Sequence, residues 1–181
     1  MNCTGNYGHC GAGATNRKKL TLYFKRENLL YDIKNLAYVE GDIMPDEAQH
    51  AKHATQDIGE EGNEDRVSSV LGVVHAAVCE LLYPYTKHET EEEMALTDDP
   101  ERPELYVIDM EVPVDFSHTT AVLLERLIHE YMVYRVLSDW LGMTNGGRAA
   151  VWESRAAAAA SEIRRNVNNR PGRTRRRLHP F

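Results

Sequence analysis

Residues 117–167 read SHTTAVLLERLIHEYMVYRVLSDWLGMTNGGRAAVWESRAAAAASEIRRNV, and the spacing of apolar residues in this stretch decides the fold. Val122, Leu123, Leu127, Ile128, Tyr131, Tyr134, Leu137 and Leu141 recur at steps of three and four, and Leu124, Met132, Val136 and Trp140 widen the stripe. This predicts a core helix of about 37 Å, starting at Ser117, whose hydroxyl can cap the free amides that follow, and ending near Leu141. Gly142 is placed to stop it in the left-handed conformation, and Thr144 or Asn145 can cap the next helix across a Gly146-Gly147 turn. The second helix, roughly Arg148 to Val167, sets Val151 or Trp152, Ala156, Ala159 or Ala160, Ile163 and Val167 on one side. Helices joined so closely must pack antiparallel. The run Ala156 to Ala160 has two readings: alanine is the best helix former, which favours a plain helix, and its small size also permits close approach of a neighbouring backbone.

Beyond Val167 the chain changes character. Asn168-Asn169-Arg170-Pro171-Gly172 stops the helix, and Arg173-Thr174-Arg175-Arg176-Arg177-Leu178-His179-Pro180-Phe181 follows. Five arginines and no acid in this stretch leave too little apolar area to offset the entropy of ordering it. A tail disordered alone, or ordered by a partner, is expected, with a reach of about 46 Å when extended. Arg170, Arg173, Arg175, Arg176 and Arg177 would pair with a partner's acids, while Leu178, Pro180 and Phe181 supply an apolar plug.

The chain of 181 residues is long enough for one domain with a real core. No apolar run approaches the eighteen or so residues of a membrane span, and the N-terminus lacks the hydrophobic segment of a secretion signal. Charge is unevenly divided. Through Gly147 there are 12 Lys and Arg against 26 Asp and Glu, whereas from Arg148 onward nine Arg face two Glu. An acidic body with a basic tail suggests head-to-tail contacts between copies; the competing reading is a tail that binds nucleic acid. Cys3, Cys10 and Cys79 make no disulfide framework and fit a reducing interior, with Cys79 on the apolar side of a helix.

Read in order, residues 1–16 form a glycine-rich arm without periodicity. Leu20 to Phe24 resembles a short strand. Glu27 to Glu40 has helical spacing through Leu30, Ile33, Leu36 and Ala37, closing at Gly41. Pro45-Asp46-Glu47 opens a weaker helix with Ala48, Ala51, Ala54 and Ile58 along its apolar edge. Asn63, followed by two acids, starts another helix, in which Val67, Val70, Leu71, Val74, Val78, Leu81 and Leu82 keep the spacing up to Pro84. Residues 87–104 read as a solvated acidic loop. Tyr106, Ile108, Met110, Val112 and Val114 then alternate with Val107, Asp109 and Glu111 as a strand, for which residues 20–24 are the available partner within the chain and a neighbouring subunit is the alternative. The fold class is therefore mainly α: an antiparallel helix bundle with a small β insertion near 105–114 and an extended C-terminal tail. Its divisions are an arm at 1–16, a helical body at 17–167 and a docking tail at 168–181.

No constellation of residues reads as catalytic, and no cofactor is implied. His129-Glu130 resembles the opening of a zinc-protease helix, but position 133, where the second histidine belongs, holds Val133. His50 and His53 lie one turn apart with no further ligands nearby, and Cys3, His9 and Cys10 match no zinc spacing and lack a fourth ligand. Phosphate loops and nucleophile elbows are missing. An enzyme or a metal site is not expected.

Several stretches together resemble the head-to-tail connector, or neck adaptor, proteins of tailed bacteriophages, most closely those of crAss-like gut phages. They are Leu29 to Lys34 with Tyr38-Val39-Glu40-Gly41-Asp42, Leu82-Tyr83-Pro84-Tyr85, Tyr134 to Leu141, and the ending Arg175 to Phe181. The resemblance spans most of the chain after the arm. It implies a structural virion protein assembled in the host cytoplasm, a subunit of a twelvefold homo-oligomeric ring in the neck. Its C-terminal segment would dock on the portal protein or on a neighbouring ring or tail protein. DNA would pass through the channel without sequence-specific binding, and no membrane is involved. The alternative on the same residues is a nucleic-acid-binding protein acting through its arginine-rich tail.

Overall fold

A computed structural model describes residues 17–87 and 102–168. The arm, most of the acidic loop and the tail from Asn169 onward lie outside these residues. The described chain is mainly helical with one small sheet, in the order β1 (Arg17–Lys25), α1 (Arg26–Asp42), α2 (Gln49–Gln56), α3 (Glu61–Leu81), β2 (Leu105–Pro113), α4 (His118–Thr144) and α5 (Gly146–Val167). Short 3-10 turns flank α2 at Asp46–Ala48 and Asp57–Gly59, so the weaker helix expected from Pro45 onward is broken into three pieces. On α2 itself the fully buried side chain is Thr55, with the alanines only partly covered.

The sheet closes within the chain. β1 and β2 pair antiparallel from Arg17 opposite Pro113 to Lys25 opposite Leu105. Alternation fixes this register, because Leu22 and Phe24 on one strand and Tyr106, Ile108, Met110 and Val112 on the other all turn to the helices and are buried. Val114, expected on the inner face, falls past the end of the strand and is exposed. The far edge of β2 is partly covered: the Glu111 amide donates to the Tyr85 carbonyl at 2.7 Å, and His75 Nε2 lies 2.9 Å from the Val107 carbonyl. β1 keeps an outer edge without a backbone partner among the described residues. Arg17, Lys18, Lys19 and Lys25 give that edge the charge that discourages pairing with another copy of itself.

α4 is the central helix, 27 residues long and packed against α1, α2, α3 and α5. A helix so surrounded has no single apolar face, and this moves the stripe from where the spacing places it. Leu124, Ile128, Met132, Val133, Val136, Leu137, Trp140 and Leu141 are buried, so residues read as the margin of the stripe lie near its centre. Val122 and Leu123 are exposed. The Trp140 indole donates to the Thr55 carbonyl at 3.0 Å, tying α2 to α4.

The glycines and caps differ from the sequence expectation in one consistent way. Gly142 does not stop α4, which runs on to Thr144, and Gly146 and Gly147 form the first turn of α5 instead of a loop. Only Asn145 separates the two helices, its backbone extended and its carbonyl accepting from the amides of Arg148 and Ala149. Gly41 likewise lies inside α1, and no described glycine has a positive φ. Gly41 is needed for close approach: a Cβ there would fall 2.6 Å from Cγ of Gln56, on the neighbouring α2. Ser117 occupies the N-cap position of α4 but makes no side-chain capping bond, and α3 starts from Glu60 and Glu61 instead of Asn63. The Asn63 side chain donates back to the Asp57 carbonyl at 2.7 Å.

The hairpin of α4 and α5 is the most closely packed pair of helices. Trp152, Ala156, Ala159, Ala160, Ile163 and Val167 are buried along α5, and Val151 is not. Both readings of the alanine run therefore apply, to different residues. Ala156, Ala159 and Ala160 are small because the backbones approach, while Ala157 and Ala158 are exposed and serve helix propensity alone. Ala156→Leu should cost about 1–3 kcal/mol in urea unfolding, whereas Ala157→Leu should stay within about 0.5 kcal/mol of the parent. Equal effects at the two positions would mean that α5 does not pack in this rotation.

Candidate interaction surface

The two ends of the α4–α5 hairpin differ in the side chains they bring together. At the far end α5 terminates with Val167 buried. The Asn168 side chain donates to the Arg164 carbonyl at 2.8 Å and accepts from the Tyr85 hydroxyl at 3.0 Å. This fixes the root of the tail beside Tyr83-Pro84-Tyr85. The residues expected to bind a partner, Arg170, Arg173, Arg175, Arg176, Arg177, Leu178, Pro180 and Phe181, all lie past this root and outside the described residues.

At the hinge end a buried carboxylate organises the surface. Glu40, in the last turn of α1, is only 4% exposed. Arg148 grips it with two parallel bonds of 2.7 Å, from Nε to Oε2 and from Nη2 to Oε1, and the Trp152 indole donates to Oε1 at 3.1 Å. The Arg148 guanidinium holds the Glu40 carboxyl below the usual carboxylate range, and the Trp152 bond adds to this, against the opposing effect of burial. Arg155 stacks over the Trp152 ring at 4.5 Å, and Tyr134 meets the same ring with centroids 5.4 Å apart. Above this cluster lies a depression of about 280 Å³, lined by Glu40, Ile43, Met44 and Pro45 from the end of α1 and by Asn145, Gly147 and Arg148 from the hinge. Ile43 is 68% exposed, and Val39 and Met143 at the same end are also exposed.

A larger cleft, about 590 Å³, lies between the C-terminal half of β1, the start of α1 and the middle of α4. Inside it His129 Nε2 lies 2.8 Å from Asp32 Oδ2, with Tyr23, Glu125, Arg126 and Glu130 around them. The His129-Glu130 pair thus serves a cross-link between α1 and α4. No group of three or more metal-ligating side chains occurs among the described residues, and His50 and His53 are both exposed on α2. Cys79 packs partly buried against the core, which pushes its thiol pKa up and makes it a poor nucleophile.

The sequence carries no signal for the Glu40 cluster, because Glu40 and Arg148 are 108 positions apart and neither belongs to a spaced motif. An acid at the end of an apolar helix face, immediately before the expected glycine stop at Gly41, reads as a solvated position. No protein-family model, curated protein or solved structure matches the chain. No helix among the described residues is long and apolar enough to cross a membrane.

Breaking this pair leaves a carboxylate in the interior. Arg148→Met should cost about 2–3 kcal/mol at neutral pH, less than for a fully enclosed pair because water reaches the outer side of Arg148. Because the folded pKa of Glu40 is lowered, its contribution is complete above the unfolded value, near 4.5, and is lost as pH falls through the folded value. Urea unfolding from pH 6 to pH 2 should show a decline that Glu40→Gln makes shallower below pH 4.5. An unchanged pH profile in that variant would remove Glu40 from the acid response.

Proposed function

We propose that this chain is a structural subunit of a head-to-tail connector ring in a bacteriophage neck, a non-enzymatic part that joins the portal to the tail and extends the DNA channel. The observation that carries the reading is the way the body ends. A packed helical domain closes at Asn168, pinned to Tyr85 at its surface, and thirteen residues with five arginines continue from there. The part of the chain through Gly147 carries 12 bases against 26 acids, so opposite charges on body and tail favour contacts between unlike faces of successive subunits. Contacts of that kind close into rings. On this reading the portal protein, neighbouring ring or tail proteins and further copies of the chain in twelvefold arrangement are the partners. DNA passes an acidic wall that repels it over about 8 Å at physiological salt. The site of action is the virion neck, after assembly in the host cytoplasm, and no membrane takes part.

A second reading rests on the same five arginines. A tail that neutralised five phosphates of duplex DNA would give a log-log salt slope of about −4. Against it, no aromatic residue is interleaved with the arginines to stack on bases.

Deleting residues 169–181 should leave the circular dichroism and unfolding midpoint of the body nearly unchanged while excluding the chain from assembled particles. Truncated protein found in particles at normal copy number would contradict the docking role. Duplex affinity of the full chain at 150 mM salt, falling with the slope above, would favour the second reading instead.

A further inference from the structure

We infer that the hinge-end depression between α1 and the α4–α5 turn is the receptor for the C-terminal tail of a second copy of this chain. The inference rests on the connector reading only in taking the tail to be donated to another polypeptide. Its support is local. Ile43, in the lining, is 68% exposed, and Met143, two residues before the lining residue Asn145, is 52% exposed, while the floor, Glu40 with Arg148, is rigidly bonded. A preformed apolar depression on a fixed floor is the arrangement that receives a side-chain plug, since little order has to be gained on binding. The tail holds matching chemistry: Leu178, Pro180 and Phe181 for the depression, and Arg173 to Arg177 for the exposed Glu47 and for Asp42, where they would compete with the 3.2 Å Lys52 bond.

Charge decides between the chain's own tail and another's, since length permits either. The tail begins at Asn168, one helix length away from the hinge, and α5 with its 22 residues spans about 33 Å. To reach its own hinge, the tail would have to run fully extended along α5, using about ten of its thirteen residues. That route passes Arg155, Arg164 and Arg165, so five tail arginines would be drawn along a helix of the same sign. A second copy, approaching with its tail end toward this hinge, meets Asp42 and Glu47 first. The contact is between unlike faces, root to hinge, and repeats from copy to copy.

The test is sedimentation of the full-length chain with two exposed-site variants, Ile43→Asp and Met143→Asp, and a tail variant, Leu178→Asp with Phe181→Asp. The parent should associate with rising concentration, and each variant should weaken association at least tenfold while keeping the parent's unfolding midpoint within a few degrees. Mixing the Ile43→Asp chain with the tail variant should restore a complex of two chains and no more, because one intact tail and one intact hinge remain. A parent that stays monomeric at 100 µM, or association untouched by both hinge variants, would overturn the inference. Should that happen while deletion of residues 169–181 still excludes the chain from particles, the tail docks elsewhere and the connector reading stands without this site.

Discussion

The bonding of Glu40 by Arg148 and Trp152 is the constraint on which the rest of the structure depends. α5 packs almost wholly on α4, and its outer face is exposed, so this bonding is what joins the start of α5 directly to α1. A carboxylate taken out of water is costly unless its lone pairs are filled, and here three donors fill them. The pair also has direction. Arg148 is in the first turn of α5 and Glu40 in the last turn of α1, so satisfying the carboxylate sets where the hinge lies. The depression above it is a consequence of that placement.

The core is shaped by the position of α4. Because α4 meets four other helices, its apolar residues must face several ways, and the two-stranded sheet covers part of what remains. A lone pair of strands is marginal by itself; here every inward side chain from Leu22 to Val112 is buried against helices, which is what stabilises it. Charge follows the same division. The residues that pack are apolar, the exposed body is rich in acids, and the bases are concentrated at β1 and from Arg148 onward.

Much of this is legible in the residues. The alternation from Tyr106 to Val112 gives the strand and its inner face, and the strand near 20–24 is its partner because no other alternating run exists in the described chain. Helix identity is equally plain in α1, α3, α4 and α5. What spacing does not reveal is the rotation of α4, since a helix apolar on several sides offers no single stripe to choose. Glycine is the other source of error. Gly41 and Gly142 read as stops and Gly146-Gly147 as a turn, yet all four lie inside helices, and at Gly41 a neighbouring Gln56 leaves no room for a side chain. The Glu40 cluster is invisible for a different cause: its members come together only when the helices pack.

One bonded carboxylate holds the start of α5 to the end of α1 and shapes the hinge surface. A double-mutant cycle with Glu40→Gln, Arg148→Met and the combined variant, read by urea unfolding at pH 7, tests it most directly. The expected coupling is about 1–2 kcal/mol, with the double variant more stable than the sum of the single losses implies. Additive losses, with no coupling, would contradict it.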